Sequence, residues 1–236
     1  MTPQSTPDRK IQPRMLVGLV VFLLYTPLVL LISSGQLDWW MAWLYSLLSV
    51  VLSLGSRGLM ARRYPDLVAE RASYREADGV KAWDKKLVPL VAQVGPLIML
   101  VVAGLDQRFG WSRPMALWIS LVALAVAVLG FAFSTWAMIE NRFFSSVVRI
   151  QTERGHTVCS SGPYQYVRHP GYTGGLTWYL MTPLILGSLW AYIPTLFVVV
   201  LTVLRTYLED ITLQAELPGY QAYTRQTRYR LFPGIW

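Results

Sequence analysis

Five stretches of this chain run long without a single formally charged side chain: Met15 to Ile32, Trp39 to Ser56, Leu87 to Leu105, Met115 to Ile139 and Tyr172 to Leu204. A helix needs roughly 20 such residues to cross the hydrocarbon core of a bilayer. Within that core only a helix or a closed barrel satisfies its own backbone groups. The runs therefore commit the chain to an all-α, polytopic membrane architecture. The last run holds 33 residues, about 50 Å of helix, too long for one crossing and short for two. A tight hairpin turning near Gly187 and Ser188, flanked by Pro183 and Pro194, resolves the mismatch and gives about six transmembrane helices. Pro27 is expected to kink the first of them, and Pro89 with Pro96 to bend the third.

Charge placement tests that count. The sequence is 54% apolar and only 14% charged, yet its formal charge is +8. With the N-terminus in the cytoplasm, every Lys and Arg except Arg108 and Arg113 falls on the inner side, as the positive-inside rule requires. Both termini and the polar loops are then cytoplasmic, and the basic residues serve topology, so nucleic acid is not an expected partner. The ten tryptophans and thirteen tyrosines suit the two interfacial belts. One cysteine excludes an internal disulfide framework, and with two histidines it makes a poor zinc set, so no metal is expected. Residues 1–14, rich in Pro, Ser, Thr and Gln, are expected to be disordered. No small-residue cleavage site follows the first apolar run, which reads as a retained helix rather than a signal peptide. Four helices are expected over 15–139, with 57–86 a basic cytoplasmic loop carrying a short surface helix that ends at Gly79.

The residues able to do chemistry gather between the fourth and fifth apolar runs. Gln151 to Tyr172 reads QTERGHTVCSSGPYQYVRHPGY and holds both histidines, His156 and His169, and the cysteine, Cys159. Pro163 and Pro170 prevent one uninterrupted helix, and Pro170 biases His169 toward an extended backbone. A folded turn carrying Tyr164, Tyr166, Arg168, His169 and Tyr172 results. Its plainest reading is a membrane loop with aromatic rings at the headgroup level; the alternative is a cofactor-binding loop at the membrane surface. Beyond the last apolar run, Arg205, Glu209 and Leu213 share a helix face. A simple salt bridge between Arg205 and Glu209 competes with a site role, although Arg before Glu is the weaker order for such a pair.

HTVCSSGPYQYVRHPGYTGG, then RTYLEDITL, then ELPGYQAYTRQTRYRLFP resemble the C-terminal half of the integral-membrane methyltransferases typified by isoprenylcysteine carboxyl methyltransferase, to which phospholipid N-methyltransferases are related. The resemblance covers about residues 140–236; residues 1–139 match only as generic membrane helices. It implies S-adenosylmethionine as cofactor, held on the cytoplasmic side by the loop and the last helix, with a lipophilic methyl acceptor entering from the bilayer. By position it assigns Gln151, His156, Thr157, Val158, Cys159, Tyr164, His169, Pro170, Gly171, Tyr172 and Glu209 to the donor pocket. Arg205 takes the place of the arginine facing the acceptor. One departure is Glu209-Asp210, where the family commonly carries two glutamates; Asp210 keeps the charge on a shorter reach. Membrane sterol reductases, which place NADPH in a similar C-terminal helix arrangement, define the enzymatic rival, with Arg154, Arg228 and Arg230 available for a 2′-phosphate. A non-catalytic scaffold or transporter is the other, but the runs lack the intramembrane charge that transport usually needs.

Overall fold

The computed structural model describes residues 13–72 and 78–236, without the side chains of 13–17, 68, 69 and 72. The expected disorder of residues 1–14 thus falls, apart from Pro13 and Arg14, outside the described residues. The helices in order are α1 (Pro13–Ser34), α2 (Trp40–Arg63), α3 (Pro65–Ala72), α4 (Ala82–Pro89), α5 (Gly95–Phe109), α6 (Leu117–Glu140), α7 (Pro170–Ile185), α8 (Tyr192–Glu216) and α9 (Tyr220–Gln226). No strand occurs among the described residues.

Among the described residues, three helical stretches are long and apolar enough to cross a membrane: Trp40–Arg63, Ala82–Phe109 and Leu117–Glu140, with Gly18–Ser34 a shorter apolar helix. Their outward faces are apolar: Ile32 is 71% exposed and Leu129 70%. Side chains of that kind are at home in lipid rather than water. α7, with 16 residues, is about 24 Å long. α8, with 25 residues, carries its charges in its second half. The chain turns between them at Gly187, φ 71°, where the sequence places the hairpin.

The third apolar run, expected to bend at Pro89 and Pro96, stays helical across both, with a π-helical segment, Leu90–Val94, joining α4 to α5. Pro89 lacks an N–H to donate, and a π segment is one way a helix absorbs such a gap. Residues 57–86 are also less of a loop than expected, since α2 continues to Arg63 and α4 begins at Ala82. Long basic side chains extend a helix past the membrane edge by snorkelling, so the hydropathy boundary is not the helix boundary. Residues 73–77, within the expected surface helix, lie outside the described residues; the described part of that helix is α3, which Pro65 opens.

The packing of α6 against α7 positions the site. Gly130 and Gly174 let the two backbones meet: a Cβ on Gly174 would lie 2.2 Å from the Gly130 carbonyl oxygen. Ser134 Oγ then donates to the Gly171 carbonyl at 3.1 Å. At the end of the bundle away from the site, buried Asp106 accepts from Ser112 Oγ and Ser188 Oγ at 2.6 and 2.5 Å, pinning the α5–α6 loop to the α7–α8 turn. Close to mid-bundle, Trp178 Nε1 donates to Tyr45 Oη at 3.0 Å, and Tyr45 Oη is also 3.2 Å from Thr182 Oγ1. These bonds satisfy polar groups that hydrocarbon would leave bare.

Candidate active site

Residues 141–172 fold back over the ends of α6 and α7 because side chains take over where regular backbone bonding stops. Asn141 Oδ1 accepts from the Phe143 N–H at 2.9 Å, and Gln151 Nε2 donates to the Phe143 carbonyl at 2.9 Å. Glu70, on α3, accepts from Ser145 Oγ at 2.8 Å and from Arg149 Nε at 3.4 Å. Gly171 leaves room for Phe144, whose ring would sit 2.6 Å from a Cβ there. Arg71 stacks over the same ring, 5.5 Å from its centroid.

The C-terminal tail closes the other side. Arg168 and His169 donate their backbone N–H groups to the carbonyls of Tyr229 and Arg230, at 2.9 and 3.0 Å. Tyr223 Oη and Thr227 Oγ1 donate to the Tyr164 carbonyl at 2.6 and 3.1 Å. The hub is Asp210, whose side chain is fully buried. It accepts from Arg168 Nε and Nη2 at 2.8 and 2.9 Å, Arg230 Nε at 2.9 Å, Gln214 Nε2 at 2.8 Å and Tyr220 Oη at 3.1 Å. His169 Nε2 lies 3.3 Å from the same carboxylate.

Between these walls lies a cavity of about 430 Å³, within the usual range for a small-molecule site. Of the residues singled out from the sequence, His156, Thr157, Val158, Cys159, Tyr164, His169, Gly171, Tyr172, Arg205 and Glu209 line it. Gln151 and Pro170 do not. Gln151 is fully buried, its Oε1 accepting from Arg154 Nη1 and its Nε2 holding Phe143, so its amide braces the loop. Pro170 opens α7 behind the lining.

Four groups in the lining have chemical character. His156 is half-buried, and burial, followed by the nearby guanidinium charges of Arg149 and Arg154, pushes its pKa from 6.5 down to about 4. Its Nδ1 accepts from the Gln151 N–H at 3.3 Å, so the ring is neutral at physiological pH, packed 4.6 Å from the Phe143 ring. The Cys159 thiol is pushed up by burial, the opposite of what a nucleophile needs. Glu209 accepts from Tyr172 Oη at 2.5 Å through Oε2, and its Oε1 has no hydrogen-bond partner among the described residues. Arg205 does not pair with Glu209 one turn on; its Nε donates to Asp84 Oδ1 at 2.7 Å.

Sequence reasoning passed over several members of this site. Arg71, the segment 143–149, and Val88, Val91, Ala92 and Gln93 around the π-helical segment all line the cavity. The first apolar half therefore contributes a wall. Arg168 was visible as a loop charge and Asp210 as the shorter acid beside Glu209, but their pairing spans 42 residues of sequence and leaves no local pattern.

Comparison with known proteins agrees with the resemblance read from the motifs. The family described as "Isoprenylcysteine carboxyl methyltransferase (ICMT) family" matches residues 121–215. Protein-S-isoprenylcysteine O-methyltransferase B of Arabidopsis thaliana is 36% identical over 70 residues, covering 29% of this chain and 36% of that protein. A probable protein-S-isoprenylcysteine O-methyltransferase of Oryza sativa subsp. indica is 35% identical over 69 residues, 29% of this chain and 36% of that protein. The protein-S-isoprenylcysteine O-methyltransferase of Schizosaccharomyces pombe is 36% identical over 67 residues, 28% of each chain. The chain thus spans about a third of the length of the curated relatives it matches. The matched segment begins nearer the N-terminus than the motifs did and stops before the tail that opens at Pro218-Gly219.

Proposed function

We propose that this chain is an S-adenosylmethionine-dependent integral-membrane methyltransferase that acts on a lipophilic acceptor of the isoprenylcysteine-carboxylate kind. One observation carries the reading: the loop before the α7–α8 hairpin and the Arg205–Glu209 face of the helix after it enclose a single cavity. Two polar segments separated in sequence by an apolar hairpin thus converge on one space of small-molecule size.

The lining suits the donor's chemistry group by group. Glu209 offers Oε1 to an ammonium, and Tyr172 fixes the carboxylate through Oε2. The N–H groups of Thr157, Val158 and Cys159 lie outside any helix and have no backbone acceptor among the described residues, which leaves them for a ring nitrogen or a carboxylate. The His169 ring stacks beside Tyr172, centroids 5.9 Å apart, and aromatic faces of this kind attract cations such as a sulfonium. When bound, the donor supplies a methyl group activated by that positive sulfur. What the chain contributes is position and exclusion of water, the main levers for an in-line displacement. Arg205 holds an anionic acceptor at the cavity wall. An acceptor carboxylate is already ionised at neutral pH, so no general base is required.

The same reading puts six crossings in the membrane and the cavity, with both termini, on the cytoplasmic side. Thiol labelling of cysteines introduced at the exposed positions Tyr166, Gln221 and Asp38 tests this: the first two are expected on one face and the third on the other. For function, isothermal titration with S-adenosylmethionine is expected to show binding that Glu209→Ala and His169→Ala abolish and Arg205→Ala retains. Preference of the purified protein for NADPH, or unchanged donor affinity in the first two variants, would overturn the reading. Labelled donor incubated with a lipid extract identifies the acceptor by mass spectrometry.

A further inference from the structure

The guanidinium of Arg205 carries five N–H donors, and Asp84 organises them. Nε donates to Asp84 Oδ1 at 2.7 Å, and Nη2 donates to Asp84 Oδ2 at 3.2 Å and to the Ser146 carbonyl at 3.1 Å. These bonds use the whole of one edge of the fork. Neither Nη1 hydrogen has an acceptor among the described residues, while Arg205 itself lines the cavity. The Tyr172 ring packs against the guanidinium, 5.2 Å from centroid to Cζ, and restrains its plane.

Asp84 is itself held firmly. Its side chain is fully buried, in the first turn of α4, and Oδ2 also accepts from the Val148 N–H at 2.7 Å. Lys81, which precedes that turn, donates its own N–H to the Val148 carbonyl at 3.1 Å. One carboxylate therefore locks α4, the 143–149 wall and α8 together at the arginine. A fork-to-carboxylate pair of this kind fixes orientation as well as charge, whereas a bare Arg side chain has many rotamers to choose from.

We propose that Asp84 is a positioning residue for the reaction: it turns Arg205 so that both Nη1 donors face the acceptor. The inference rests on the methyltransferase reading and deepens it by giving the apolar N-terminal half, outside the segment matched to the family, a part in the site.

The full-length protein in detergent tests it, with S-adenosylmethionine as donor and N-acetyl-S-farnesylcysteine as acceptor probe. Asp84→Asn is expected to keep donor affinity within about twofold and to lower kcat/KM for the acceptor by about 100-fold, the scale of a 1 Å misplacement. Asp84→Glu keeps the charge and so the fold, but shifts the guanidinium; about tenfold loss is expected. In an Arg205→Lys background, Asp84→Asn should add less than about threefold, because the two act as one unit. A readout independent of turnover comes from nitrogen-edited NMR: the Nη hydrogens of Arg205 should give separate signals in the wild type and collapse to one in Asp84→Asn. Collapsed signals in the wild type, or a folded Asp84→Glu variant with wild-type kcat/KM, would overturn the proposal. Should Asp84→Asn fail to fold, Asp84→Glu decides alone. A wild type that binds no donor sinks the methyltransferase reading itself, a separate outcome from full activity in the variants.

Discussion

Replacing Asp210 by Asn should be among the most destabilising single-atom changes available in this chain. The carboxylate is fully buried and faces the Arg168 guanidinium, itself 5% exposed, and that of Arg230, 25% exposed. An asparagine removes the counter-charge and turns an NH2 toward N–H donors from Arg168, Arg230 and Gln214, so at least one formerly paired group loses its acceptor. Removing one partner of a buried ion pair costs about 3–5 kcal/mol. At about 2–4 °C per kcal/mol for a chain of this length, the thermal midpoint should fall by roughly 10 °C. Glu216→Gln is the control: its bridge to Lys81, at 2.6 Å, is shorter than either Asp210 bridge, yet the side chains are 29% and 45% exposed. Such surface pairs contribute at most about 1 kcal/mol, a shift of no more than ~4 °C. The assay is the melting of detergent-purified protein followed by intrinsic tryptophan fluorescence. Trypsin cleavage after Arg225 and Arg228 reports separately whether the tail has come away from the loop. Equal shifts for the two variants, with the tail equally resistant, would refute the claim that Asp210 clamps loop, tail and α8 together.

Three further outcomes follow from the geometry. The His156 ring should titrate near pH 4 by NMR; because its folded pKa is depressed, its contribution to stability is complete above about pH 6.5 and is lost as pH falls toward 4, so acidification from pH 7 to 5 should lower the wild-type melting midpoint more than that of His156→Gln. A measured value of 6 or higher would contradict the burial argument. Gly174→Val should prevent the α6–α7 approach, since its Cβ would lie 2.2 Å from a backbone oxygen; loss of folded protein in size-exclusion chromatography is expected, and wild-type yield and donor affinity would refute it. Tyr172→Phe removes the bond that places Glu209 through Oε2 but keeps the ring over Arg205; a hydrogen bond to a charged group contributes about 1.5–3 kcal/mol, so donor affinity should fall by at least about tenfold and at most about 100-fold, and an unchanged dissociation constant would argue against Glu209 as a donor contact.

Hydropathy made the helices readable because lipid imposes a one-dimensional rule: uncharged length becomes helix. The hairpin turn at Gly187 was readable for the same reason, a run too long for one crossing that contained a glycine. The rule fails at helix ends. α2 and α4 carry Arg57, Arg62, Arg63, Lys85 and Lys86 as helical residues, since their charged tips reach water while their backbones stay in register. It fails again for tertiary ion pairs. Arg205 and Glu209 sit one turn apart and invite pairing, yet Arg205 takes Asp84, a partner 121 residues away, because that carboxylate approaches in the plane of the fork from a packed neighbouring helix.

The same contrast explains why the motif-bearing segment alone does not define the site. Arg205 and Glu209 project from one helix toward one cavity, with opposite charge and without mutual hydrogen bonding. Each is held by a different partner, Asp84 for the cation and Tyr172 for the anion. Were the two to pair, Arg205 Nη1 and Glu209 Oε1 would satisfy each other and neither would be left for a ligand. Asp84 from the first half of the chain and Tyr172 from the hairpin keep them apart, so one wall can meet an anion and a cation at once. A donor carrying an ammonium and an acceptor carrying a carboxylate present that combination of charges.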